Sequence, residues 1–132
     1  MNFTILGAGN MGRAIATLLL KGGNNVTIID HDDAEAKKLV GELDSVAKAF
    51  NATFAGTLLK GQVDGQPLDV FIAGDDAGAK QALANAIQAG GLRPIDVGPL
   101  RRARQLEGLG LLHIVLQSTL GTNWASTIKL LS

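Results

Sequence analysis

The chain has no cysteine, only two histidines and no excess charge of either sign. Without thiols there can be no disulfide, no thiolate metal site and no cysteine nucleophile. His31 and His113 are too few for an ordinary zinc cluster. Twelve basic residues balance 12 acidic ones, so no cationic field is available to hold nucleic acid or an anionic membrane surface. No apolar run approaches the length of a bilayer crossing. The first motif begins at residue 7, too early to leave room for a leader, so the expected compartment is cytoplasmic. With 132 residues, 46% of them hydrophobic, the chain is expected to form one domain over 1–132 with a real but modest core.

What the chain does have is a glycine loop, Gly7-Ala8-Gly9-Asn10-Met11-Gly12, set between a hydrophobic strand and an apolar-striped helix. This is the chemistry of a dinucleotide pyrophosphate site. Gly7 permits the tight turn out of the strand, Gly9 lets the backbone close on a phosphate, and Gly12 lets helix and strand pack closely. The helix start adds unpaired N–H groups and a partial positive charge, and Asn10 and Met11 sit in that first turn. A glycine motif alone is weak, but its context is right. Phe3 to Leu6 reads as a buried strand, and Met11, Ile15, Leu18 and Leu19 share one helical face. Lys21-Gly22-Gly23 ends the helix, and Val26 to Ile29 forms a second strand. That strand leads to Asp30, about 20 residues beyond the loop, where a ribose-binding carboxylate belongs. A glycine-rich turn that binds nothing is the bland alternative, and the flanking elements favour a nucleotide.

Further along, 33–43 reads as a helix and Val46 to Phe50 as a third strand. Asn51 to Leu59 reads as a loop entering a short helix, and Gly61 to Pro67 as a surface turn. Asp69 to Gly74 is a buried strand. Asp75-Asp76 opens a helix from Ala77 to Ala89, one carboxylate capping it and the other facing water. Arg93 to Gly98 is a fifth strand, with Pro94 placing its start near an edge. Leu100 to about Ser118 is helical, with Leu106, Leu109 and Leu112 among its inward residues and Arg104 pairing with Glu107. His113 is expected in the core or an interface, hydrogen-bonded rather than catalytic. The alternation predicts an α/β fold, a shortened Rossmann-like, doubly wound and mostly parallel sheet of about five strands.

The segments ILGAGNMGRAIA, VAKAFNATFAGTLL, DVFIAGDD, RPIDVGPLRRARQLEGLGLLHI and GTNWASTIKLL together resemble the coenzyme F-420-dependent NADP oxidoreductase family. They cover nearly the whole chain in the family's order. The resemblance implies hydride transfer between NAD or NADP and a flavin or deazaflavin acceptor. It also places Asn51 and Thr53 near the nicotinamide, against their plain role of shaping a turn after a strand. Two features depart from the family. Between Leu43 and Val46, where relatives carry further βα units, roughly 60–90 residues are missing, and with them one wall of the ligand crevice. After the second strand, where the family has a Ser-Arg-type pair for the NADP 2′-phosphate, stand Asp30 and His31, followed by Asp32 and Asp33. Those acids favour a free 2′-hydroxyl, hence NAD, though Lys37 and Lys38 soften the repulsion. His31 is expected at the adenosine end.

The shortened middle leaves the first strand without its usual neighbour. Either Val46 to Phe50 moves in beside it, or two chains associate, and a homodimer is the first expectation. The leading functional reading is a nicotinamide-dependent oxidoreductase for which no catalytic side chain is assigned. The alternative is a non-catalytic dinucleotide-binding or scaffold module.

Overall fold

The computed structural model describes residues 1–6, 9–29 and 47–132. Gly7, Asp30, His31 and the helix expected over 33–43 lie outside the described residues.

The N-terminal β-α-β unit forms as its pattern requires. Strand β1 (Asn2–Leu6) leads to helix α1 (Asn10–Lys21), which returns to β2 (Asn25–Ile29). β1 and β2 run parallel, in register from Asn2 opposite Asn25 to Leu6 opposite Ile29. α1 is buried on two sides, Gly12, Ala16 and Leu19 along one and Ala14 and Leu18 along the other. The helix stops at Gly22, whose N–H reaches the Leu18 and Leu19 carbonyls, while the Asn24 side chain donates to Leu19 O at 3.0 Å.

The C-terminal part is built around a very apolar strand. After β3 (Ala47–Lys48) comes α2 (Ala55–Lys60), ended by Gly61 in the left-handed region at φ 74°. A short hairpin follows, β4 (Gln62–Val63) and β5 (Gln66–Pro67). Its turn residues Asp64 and Gly65 both have positive φ, as the Asp-Gly pair of a two-residue hairpin requires. Strand β6 (Asp69–Gly74) and β7 (Arg93–Gly98) are parallel and joined by α3 (Ala77–Ala89). A 3-10 turn over Leu100–Arg102 then enters α4 (Ala103–Leu120).

Val70 and Ile72 of β6 are essentially sealed, as are the preceding Leu68 and Ile87 of α3. Leu58 of α2, Phe50, Leu92, and Ala14 and Leu18 of α1 complete that cluster, with Met11 and Ile15 packed against it. Each sealed aliphatic side chain contributes about 1.5–3 kcal/mol, which makes β6 the energetic centre of the fold. Helix α1 thus joins the two halves, packing on α2 and α3.

The expected α/β architecture is present, with β1, β2, β3, β6 and β7 as its five principal strands. Its assembly differs from expectation in two respects, the neighbour that β3 takes and, among the described residues, the division of the strands into separate hydrogen-bonded sheets. Ala47 and Lys48 do not lie beside β1: β3 pairs antiparallel with β6, Ala47 opposite Gly74 and Lys48 opposite Ala73. Among the described residues the hydrogen-bonded sheets are β1-β2, β3-β6-β7 and the small hairpin. β7, with Pro94, lies at a sheet edge as expected. Leu106 is buried as expected, but Leu112, also expected inward, is exposed, and α4 instead buries Gly110, His113 and Gln117.

Candidate functional site

Gly9 is the N-cap of α1, with extended backbone at φ −64° and ψ −178°. Among the described residues no side chain caps this helix start, and its first turn holds no acidic residue. Among the described residues a Cβ placed on Gly9 would meet nothing within 4 Å. Gly9 and Asn10 are exposed, Met11 is half-buried and Gly12 is buried in the helix packing. The contrast with α3 is direct, because there Asp76 accepts the Ala79 N–H at 2.6 Å and closes the helix end. The α1 terminus therefore keeps its positive end open to an anion.

Asn51 and Thr53 lie in the loop between β3 and α2. Thr53 is buried and Asn51 half-buried. The loop shares its core with α1, since the preceding Phe50 belongs to the cluster against which Met11 and Ile15 pack. Phe50 has φ 68°, a left-handed conformation that a bulky side chain rarely adopts. The loop is held from the α4 side. The Asn51 carbonyl sits so close to Gly110 that a Cβ there would collide with it. One turn on, His113 Nδ1 lies 3.1 Å from the Ala52 carbonyl. A carbonyl only accepts, so Nδ1 carries the proton and Nε2 accepts from Ser126 Oγ at 2.8 Å. Burial pushes the His113 pKa down, opposed by the bond to Ala52. The histidine is thus hydrogen-bonded in the core, as expected of it.

Other charged groups do structural work. Asp76 caps α3, and Asp75, exposed to water as expected, also accepts the Leu100 N–H at 3.0 Å. Glu107 pairs with Lys48 at 2.7 Å rather than with Arg104, which joins α4 to β3. Asp96 at the end of β7 takes Lys80 and the Gly98 N–H, which hold its pKa below the usual carboxylate range. Among the described residues no group of acids and histidines is arranged to hold a metal ion.

A cluster that the sequence reading passed over is centred on Asp69, whose side chain is fully buried at the head of β6. Burial alone would raise its pKa. The Arg93 fork at 2.7 and 2.6 Å, the Leu130 N–H at 2.7 Å and Lys129 Nζ at 3.0 Å outweigh that and lower it to about 2. These bonds tie the C-terminal tail to the starts of β6 and β7. An acid opening an otherwise apolar strand, with an arginine opening the next parallel one, was the available signal.

A match to the TrkA-N domain family runs over residues 3–95. Among curated proteins, the rat metalloreductase STEAP3 is 39% identical over 67 residues, covering 51% of this chain and 14% of that protein. The Trk system potassium uptake protein TrkA homolog of Methanothermobacter thermautotrophicus is 32% identical over 73 residues, 55% of this chain and 33% of its own length. The chain therefore spans a third or less of these relatives. Among solved structures, a protein from Arthrobacter sp. FB24, assigned as an F-420-dependent NADP reductase, superposes with a TM-score of 0.77 at 19% identity. That match covers 98% of both chains. The hypothetical protein SMa0349 of Sinorhizobium meliloti follows at TM-score 0.55 and 18% identity, covering 76% of this chain and 86% of the other. At such identities the likeness is one of fold.

Proposed function

The chain belongs to the TrkA-N domain family, and on that premise we propose that it binds a nicotinamide dinucleotide and serves hydride transfer between it and a small acceptor. The observation that carries this reading is the start of α1: among the described residues it is uncapped, free of acids in its first turn, and open where Gly9 lacks a side chain. Gly7, Gly9, Asn10, Met11 and Gly12 would hold the diphosphate, Asp30 and His31 the adenosine ribose end, and Asn51 and Thr53 the nicotinamide end. The nicotinamide supplies the hydride, while the chain supplies grip, orientation and exclusion of water. The acceptor class proposed is a flavin or deazaflavin, in line with the sequence resemblance and with the Arthrobacter fold. Asp30, Asp32 and Asp33 favour NAD over NADP, because a carboxylate hydrogen-bonds a ribose hydroxyl and repels a phosphate dianion. A homodimer is part of the same reading.

One observation favours a second reading. The TrkA homolog is by name a potassium uptake protein and not a reductase, so a binding module without turnover is the alternative. Calorimetry with NADH and NADPH, followed by NADH oxidation with a flavin or a deazaflavin, separates the two. Binding with NADH tighter than NADPH, plus turnover, is the expected result. Binding without turnover leaves the module, and no binding of either nucleotide overturns both.

A further inference from the structure

Two strained turns meet on one face of α4. The first is the Phe50–Thr53 loop, entered through the left-handed Phe50. The second is the C-terminal turn, where Asn123 at φ 49° and Trp124 at φ 61° are both left-handed. Strain of this kind persists only where its surroundings over-determine it.

The surroundings here are Gly110, His113 and Gln117, which share the buried side of the helix. Gly110 admits the Asn51 carbonyl. His113 donates to Ala52, and its ring lies 4.3 Å from that of Phe54, which meets Trp124 edge-on at 5.0 Å. Gln117 Oε1 accepts from the Trp124 N–H at 3.0 Å and from Thr122 Oγ1 at 2.5 Å, while its Nε2 donates to Ser126 Oγ at 2.9 Å. Ser126 spends its one proton on His113 Nε2. A single chain of hydrogen bonds therefore runs from Gln117 through Ser126 and His113 to the Ala52 carbonyl. Among the described residues no buried side-chain polar atom is left unpaired.

We infer that His113 is a positioning residue for the nicotinamide half of the cofactor, with Ser126 of the C-terminal turn fixing its ring and Ala52 passing its hold to Asn51 and Thr53. The inference rests on the proposed dinucleotide reading, and it adds a residue far along the chain that touches no ligand. Its mark is asymmetry. The diphosphate grip sits on α1, outside this network, so loss of the latch should weaken only ligands that carry the nicotinamide ring.

The experiment compares NADH with ADP-ribose, which lacks that ring, by calorimetry on the full chain. His113→Leu should weaken NADH roughly tenfold and leave ADP-ribose within about twofold. His113→Asn, which keeps a donor near the Nδ1 position, should recover most of the NADH affinity while its melting temperature stays lowered by loss of the Ser126 bond. If His113→Leu does not fold, Ser126→Ala supplies the same comparison with a smaller loss. Equal weakening of both ligands, or no weakening of NADH, overturns the inference and leaves the dinucleotide reading standing. A wild-type chain that binds neither ligand overturns the reading itself, and the inference falls with it.

Discussion

Among the described residues nothing sterically requires a glycine at position 9. Its φ of −64° is open to any residue, and no described residue fills the space its Cβ would occupy. Gly23, Gly61 and Gly91 are different, because their φ values near +75 to +82° strain any other residue. A glycine that the fold does not need points to something outside the fold that does, and a phosphate pressed against the backbone is such a thing. Gly9→Ala should therefore separate stability from binding. Its stability cost should be about 1 kcal/mol or less, the difference between two N-cap residues. Dinucleotide affinity should fall by roughly tenfold or more, since the methyl group enters the phosphate position. Equal affinity of variant and wild type in calorimetry would remove the glycine loop from the site.

Helices and strands whose signals are local were readable in the sequence. Asp76, the alanine run and Gly90 bound α3 at both ends, and Asp69 to Gly74 is continuous apolar strand after its first residue. Helix α4 was readable in extent but not in facing, because Leu106, Leu109, Leu111, Leu112, Ile114 and Val115 surround it on all sides. Small and polar contacts chose the face. Gly108 has open space around its Cβ position, whereas Gly110 lies against the Asn51 carbonyl. Gly108→Ala should thus stabilise the protein by about 0.5–1 kcal/mol through helix propensity. Gly110→Ala should destabilise it by about 1–3 kcal/mol through the collision, and chemical denaturation checks both signs. The tail is governed by Asp69, whose folded pKa of about 2 lies below the ordinary 3.8. A depressed acid stabilises fully above the higher value and loses that contribution as pH falls through the lower one. The contribution is about 2 kcal/mol, so stability should drop steeply from pH 3.8 toward 2. Asp69→Asn, measured across the same window, should show a shallower slope.

At the scale of the molecule, strand assembly escaped sequence reasoning because pairing is a long-range choice that no window of residues encodes. Lys48 illustrates the point: its partner Glu107 lies 59 residues away, and that ion pair accompanies the unexpected placement of β3 beside β6. A fold of this extent recurs, since the Arthrobacter structure matches it over 98% of both chains. What remains to be covered is the outer side of α4. Leu111, Leu112, Ile114 and Val115 are 63%, 54%, 47% and 54% exposed, and the 3- and 4-residue spacings put Leu111, Ile114 and Val115 together. A helix apolar on every side is normally buried on every side. Two copies related by a two-fold axis would cross these helices so that Leu111 of each meets Val115 of the other, an isologous contact that closes on itself. Light scattering should give twice the chain mass. Leu111→Glu with Val115→Glu should give the chain mass at an unchanged fold by circular dichroism, since neither residue reaches the core. A wild-type monomer at high concentration would instead leave this face exposed in the free chain and end the dimer reading.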